Sequence, residues 1–390
     1  MDIDKLRKET PGTKNVLHFN NAGASLMPRS VSDAVINYQR EESLWGGYET
    51  ANKYRQSINE TYDVIANFIN AKPTEIALIE NATVAWNMAF WAIDFCEGDR
   101  ILTSKAEYAS NYISYLKLKK EVSVKVEVIP SDNAGQTSVE ALEQLMDDRV
   151  KLISITHIPT NSGLVNPIEE IGEIAHSYSC LYLVDACQSV GQYPINVQKI
   201  GCDMLSATGR KYLRGPRGTG FLYVNKDVLA DLTPPFVDLH AAEWTSSGDY
   251  KIRNDARRFE NWEMNYAGIL GLKEAVSYAN TIGITSIWNR IVGLAEELRT
   301  KLIELPNVTV QDIGKTKGGL VTFTVDGHST NEIQKELHKK GINISTSSIK
   351  STRLDMEERN LTEVVRASIH YYNTRQEIEQ FIITLSTILD

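Results

Sequence analysis

Cysteine is scarce: four in 390 residues, and none stands in a CxxC pair. Cys96, Cys180, Cys187 and Cys202 therefore suggest neither a disulfide scaffold nor a dithiol redox motif. The seven histidines include no HExxH and no Cys/His pairing, so no metal is expected. An excess of positive charge is also missing. Lys plus Arg total 41 against 50 Asp plus Glu, a formal balance of -9, which leaves no electrostatic footprint for nucleic acid or an anionic membrane. The least polar stretch, ATVAWNMAFWAI at 82–93, falls well short of the roughly 20 residues of a membrane span. The opening MDIDKLRKET lacks the apolar core of a secretory signal, and a soluble, cytoplasmic protein is expected. Repeats and low-complexity tracts are absent too. Ordinary globular usage, 42% apolar and 23% charged, argues against a disordered chain.

What the sequence does have is alternation. Short β-branched segments alternate with amphipathic ones, the pattern of α/β units around a mainly parallel sheet. Strands are expected at Ile76–Ile79, Arg100–Thr103, Val124–Ile129, Leu152–Thr156, Leu181–Val184, Met204–Ala207 and Gly220–Val224. Helical patterns lie between them, at about 83–94, 107–120, 138–148, 168–178 and 196–200. After Pro234-Pro235 the texture changes. Helices at about 263–282 and 285–305 lead to strands Val308–Asp312 and Leu320–Val325, a helix at 330–340, strand Val364–Ser368 and a last helix at 374–388. The expected organisation is an N-terminal arm (1–19), a large domain (20–262) and a small α+β domain (263–390).

The segment ATGRKYLRGPRGTG at 207–220 is the most informative. It places Lys211 between a strand end and a glycine-rich loop, flanked by Thr208, Arg210, Arg214 and Arg217. Such a loop can gather backbone amides, a hydroxyl and guanidinium groups around one phosphate, leaving the lysine for covalent chemistry. Lysine attacks a carbonyl only as the neutral amine, and neighbouring cations favour that form. No GxxxxGK[ST] is present, so this is not a P-loop. Upstream, LYLVDACQSVGQ at 181–192 puts Asp185 at the end of an apolar strand, where a parallel sheet presents side chains to a ligand crevice. There a carboxylate can hold a pyridinium nitrogen protonated. A helix cap or turn aspartate is the alternative for that residue taken alone.

Taken together, DACQS, ATGRK and GPRGTGFLYV resemble the class V aminotransferase family of fold-type-I pyridoxal-phosphate enzymes, which includes cysteine desulfurases, C–S lyases and isopenicillin N epimerase-like proteins. Matching pieces run from FNNAGA (19–24) to RASIHYYNT (366–374). The resemblance implies a large domain with a mainly parallel sheet, a small α+β C-terminal domain, bound pyridoxal 5'-phosphate and a homodimer with shared active sites. It implies that Lys211 forms the Schiff base and moves the substrate Cα proton, that Asp185 pairs with the ring nitrogen, and that Gln188 lies near the ring's phenolic oxygen. Ala82 and Thr83, opening a helix, would meet the phosphate, where exposed amides and the helix dipole favour an anion. Thr208 and Arg210 would complete that cup. Tyr108, in EYASN, would cover the ring face. Thr160 or Asn161 would lie beside the ring or substrate, whereas His157 reads as a packed strand-end residue. Arg366 would grip the substrate α-carboxylate in a bidentate fork, with Ala22 and Gly23 opposite. In RRFENWEMN, Glu263 stands where relatives carry a threonine that reaches the neighbouring subunit; Asn261 or Trp262 is the candidate substitute, with an interface or core role as the alternative for the tryptophan.

The same resemblance narrows the reaction. Desulfurases that form a protein persulfide carry a cysteine on a loop between small-domain strands. The corresponding GINISTSSIKSTRLD (341–355) has none. The NNAGASLMP and THIPTNSGLVNP segments are similar to the hercynylcysteine sulfoxide lyase-like branch. The expected activity is therefore a C–S lyase acting on a small amino-acid substrate, an S-substituted cysteine, with Arg353 as a candidate contact to an anionic tail. Aminotransfer and epimerisation remain the alternatives.

Overall fold

The computed structural model describes residues 1–389. Its centre is a seven-stranded sheet with spatial order Ile76–Ile79, Gly220–Val224, Met204–Thr208, Leu181–Asp185, Val150–Thr156, Arg100–Thr103 and Lys125–Val128. Gly220–Val224 runs antiparallel to both its neighbours, and the other pairings are parallel. Segments such as IALI and GFLYV are buried on both faces, which is why they read as continuous apolar runs rather than as alternation. The edge strand KVEV is the exception. Lys125 is exposed there, and Glu127 receives the Arg100 guanidinium at 2.7 Å, so charge guards the edge.

Side chains alternate between the two faces with the strand period of two. Ala77, Leu152, Leu183 and Leu222 pack under the helix Ala82–Phe90 and its neighbour Ala109–Val122, where Trp86 stacks on Phe90 at 4.7 Å between ring centroids. On the other face Ile76, Ile153, Val184 and Phe221 meet the helices Arg55–Ile69, Ile168–Ser177 and Tyr266–Ile282. The helix expected to carry the domain boundary thus shares the core of the large sheet.

A second sheet, antiparallel throughout, has the order Val308–Val310, Leu320–Val325, Glu363–Ser368 and Ser345–Ser348. The helices Ile284–Ile303, Thr330–Lys339 and Arg375–Leu389 cover it through Leu298, Leu337 and Phe381. The N-terminal segment is fastened to this layer. Leu17–His18 pairs in parallel with Ile342–Asn343, Asn20 bridges to Ser368, and Arg7 pairs with Glu377 at 2.8 Å. Among the described residues no helix is long and apolar enough to cross a membrane.

Several elements fall outside the expected list. Ser345–Ser348 is a strand, not a loop: its backbone pairs with Glu363–Ser368 while its serines leave no apolar alternation to read. The hairpin Ala242–Ser246/Asp249–Ile252 also falls outside that list: Trp244 and Tyr250 share one face with Ala242 and Ile252, yet both aromatic rings stay exposed. The helices Arg29–Trp45 and Gly47–Lys53 are largely exposed and have few apolar positions to mark a period.

His157, just beyond the strand Val150–Thr156, is fully buried against Tyr193, with centroids 4.8 Å apart and no partner for either ring nitrogen. Burial lowers its pKa to about 3. Because the folded value lies below the ordinary 6.5, the unfolded chain binds the extra proton as pH falls. His157 therefore subtracts stability progressively below pH 6.5, by about 1.4 kcal/mol per unit. His157→Leu is expected to weaken the loss of stability between pH 7 and pH 5 by about 2 kcal/mol, read from denaturant unfolding at the two pH values.

Candidate active site

Parallel register explains how residues far apart in sequence meet. Thr156 lies opposite Asp185, and Asp185 opposite Ser206, so the C-terminal ends of three adjacent strands present Thr156, Asp185 and Thr208 along one sheet edge. Two cavities open there. The first is lined by Ala82, Thr83, Tyr108, Thr160, Asp185, Gln188, Thr208, Arg210 and Lys211. The second, about 440 Å³, shares Tyr108, Thr160, Arg210 and Lys211 with it and adds Ala22, Gly23, Arg366 and the hydroxyls of Thr346, Ser347, Ser348 and Ser351.

The lysine loop is held from several sides. Gly215 N–H donates to Gly209 C=O at 2.7 Å, and Ser25 N–H to Arg210 C=O at 3.0 Å. Arg214, in a left-handed conformation at φ 64, buries its guanidinium against the Tyr371 and Tyr372 rings and donates to Leu26 C=O and Thr10 Oγ1. Gly191, with φ 94, presses directly on the backbone of Tyr212 and Leu213. A Cβ at this position would collide with main chain rather than a movable side chain. Gly191→Ala is expected to cost about 3 kcal/mol, combining left-handed strain with overpacking, measured by denaturant unfolding.

At the sheet edge, Asp185 accepts from Cys187 N–H at 2.9 Å and from the Asn111 amide at 3.0 Å. Burial raises its pKa, opposed by those two bonds and by Lys211. Gln188 donates to Ala22 C=O at 3.3 Å, while its Oε1 is buried without a partner. Ala22 N–H is fixed by Ser368 Oγ at 2.9 Å, and the Arg210 guanidinium reaches Gly23 C=O. Asn81 caps the Val84 N–H at 3.0 Å, leaving the Ala82 and Thr83 amides at the mouth of the helix Ala82–Phe90. Arg366 is 8% exposed, yet its Nε and Nη2 have no partner. Burial lowers its pKa to about 10.

Not every expected residue lines these cavities. Asn161 is buried behind Thr160, where its Nδ2 donates to Ser348 C=O at 3.4 Å, so it braces a wall. Asn261 lines a separate cavity with Glu80, Gly218 and Glu263, and nothing within the chain brings it to Lys211. Arg353 corrects the expectation outright. It opens the helix Arg353–Glu358, lies in solvent outside both cavity linings and pairs with Glu357 at 2.7 Å, the i,i+4 partner on its own helix. Asn111 and Thr156 line the first cavity and were not expected. The i,i+4 spacing of Glu107 and Asn111 in EYASN was the available signal.

The aminotransferase class-V profile matches residues 17–381. The chain belongs to that family. The whole chain aligns at 30% identity with 98% of a probable cysteine desulfurase of Methanothermobacter thermautotrophicus. A cysteine desulfurase from Thermococcus onnurineus, solved in apo form, superposes with TM-score 0.92 at 27% identity, covering 98% of this chain and 97% of that one. A cystine C–S lyase in complex with cysteine persulfide shares the fold, with TM-score 0.86 at 23% identity over 97% and 99% of the two chains.

The protein is thus an enzyme of the class-V aminotransferase family, whose cofactor is pyridoxal 5'-phosphate. The first cavity fits that group. It offers a lysine amine, a buried carboxylate, an unpartnered amide oxygen and a helix N-terminus to an aldehyde, a pyridine nitrogen, a phenolic oxygen and a phosphate.

Proposed function

We propose that the enzyme cleaves the Cβ–S bond of an S-substituted cysteine or cysteine sulfoxide, releasing a sulfur species, pyruvate and ammonia. When bound, the cofactor supplies an electron sink for a carbanion at Cα. The chain's own groups do the rest. Lys211 Nζ holds the cofactor and then, freed by substrate, takes the Cα proton. Arg366 receives the α-carboxylate in a fork, Ala82, Thr83, Thr208 and Arg210 hold the phosphate, and Tyr108 covers the ring. The Cβ–S bond then breaks with its electron pair leaving on sulfur. The three-carbon fragment takes up water and loses ammonia to give pyruvate.

One observation carries the choice of elimination: the wall of the second cavity contributed by residues 341–355 consists of Thr346, Ser347, Ser348 and Ser351, with no thiol to accept sulfur, and Cys187 lies in the first cavity, where burial raises its thiol pKa. A persulfide-forming route needs such a nucleophile on the protein. Incubation of the cofactor-loaded enzyme with S-substituted cysteines is expected to release pyruvate and ammonia in equal amounts. Alanine together with protein-bound persulfide, a keto acid that retains sulfur, or recovered substrate with inverted Cα would each overturn this reading.

A homodimer completes the proposal. Trp45, Tyr48, Trp244 and Trp262 are 69%, 79%, 72% and 56% exposed, and Tyr48 and Trp262 line one surface cavity, exposed aromatic area of the kind interfaces use. Asn261 would act across that interface. Light scattering on the purified protein reads the assembly directly.

A further inference from the structure

Behind Asp185 lies a second carboxylate that the reaction as described does not use. Glu107 is 3% exposed and Asn111 2%. The Asn111 amide nitrogen donates one proton to Glu107 Oε1 at 2.9 Å and the other to Asp185 Oδ2 at 3.0 Å. Turning the amide over would set its oxygen against two carboxylate oxygens, so the orientation is fixed by charge. Glu107 also accepts from Thr103 Oγ1 at 2.9 Å, Tyr108 N–H at 2.9 Å, Thr156 N–H at 3.3 Å and the Thr156 hydroxyl. Five donors converge on two oxygens, a shell suited to the anion. Those donors come from the end of the strand Arg100–Thr103, the end of Val150–Thr156 and the start of the helix Ala109–Val122; of these, Thr156, Tyr108 and Asn111 border the first cavity.

We propose that Asn111 and Glu107 are positioning residues for Asp185. Asn111 and the Cys187 N–H each hold one carboxylate oxygen, so Asp185 cannot turn away from the ring nitrogen, and Glu107 keeps negative charge behind it. The inference rests on the reading of Asp185 as the partner of that nitrogen. The charged and titratable groups facing the pair are Lys211 and Cys187 from the cavity side and Tyr115 from the helix. Burial pushes the Glu107 carboxyl up, helped by the charge of Asp185 and opposed by the Thr156, Asn111 and Tyr108 bonds, to a balance of about 7. The shell is therefore what keeps a share of this carboxyl ionised near neutral pH.

The test uses the cofactor-loaded protein, with the ring nitrogen labelled with ¹⁵N and its resonance followed against pH. Asn111→Ala and Glu107→Gln are each expected to lower the proton affinity of that nitrogen by about tenfold, one unit of its titration. Neither variant should lose cofactor on dialysis. Asn111→Ser, which keeps one donor but cannot bridge both carboxylates, is expected to lie between Asn111→Ala and the parent, and it serves if Asn111→Ala does not fold. Asp185→Asn separates the two ideas. If it moves the resonance while the Asn111 and Glu107 variants leave it at the parent position, the positioning role is wrong and the Asp185 assignment stands. If Asp185→Asn also leaves it unmoved, both are wrong. A response from only one of Asn111 and Glu107 overturns the paired arrangement.

Discussion

Lys211→Ala is expected to abolish the visible absorption of the purified enzyme after dialysis and to reduce kcat by about a thousandfold or more. Two functions disappear together. The amine that holds the cofactor aldehyde is gone, and so is the only amine lining both cavities in reach of a substrate Cα. A second readout separates them. With cofactor supplied in excess, exchange of the substrate Cα hydrogen with deuterated solvent should still fail, because no other lining group replaces the proton acceptor. A borohydride-reducible link at a different lysine would show that the assignment is wrong.

Arg366→Ala should raise KM by about two to four orders of magnitude, since each charge-assisted hydrogen bond contributes roughly 1.5–3 kcal/mol and the fork makes two. The structure adds an effect of opposite sign on stability. Folding has already stripped water from the Nε and Nη2 of this guanidinium without giving either a partner. Arg366→Met removes that unpaired charge while keeping much of the side-chain volume. The ligand-free variant is therefore expected to be more stable than the parent by about 1–2 kcal/mol, seen as a raised Tm. An Arg366 engaged only in structure would give the reverse: a lower Tm with an unchanged KM.

The sequence disclosed the strands of the large sheet because burial on both faces demands long apolar runs, and LYLVD or GFLYV can hardly be anything else. It disclosed the pairing of Asp185 with Lys211 because a strand end and a glycine-rich loop are local features. Segments whose stability comes from backbone pairing or distant packing stayed hidden. Ser345–Ser348 is held mainly by ladder hydrogen bonds, which leave no mark on hydropathy, and the hairpin around Gly248 carries its two aromatic rings on the surface rather than in a core. The same holds within the site. Arg353 looked like a ligand for a substrate tail because charge is visible in a sequence, whereas its preference for Glu357 depends on a short helix that the composition of STRLD does not announce. Glu107 and Asn111 escaped notice because their partners, Thr103, Thr156 and Asp185, come from three separate strands.

The parallel pairing of Leu17–His18 with Ile342–Asn343 has a consequence for synthesis on the ribosome. Ala22 and Gly23, early in the chain, reach their places beside Arg366 only through partners such as Ser368 and Tyr372, which are translated more than 300 residues later. The large sheet can collapse as the nascent polypeptide emerges. The substrate end of the pocket cannot close until residues 366–372 have been made, so products truncated before them would carry the lysine loop but not the carboxylate grip.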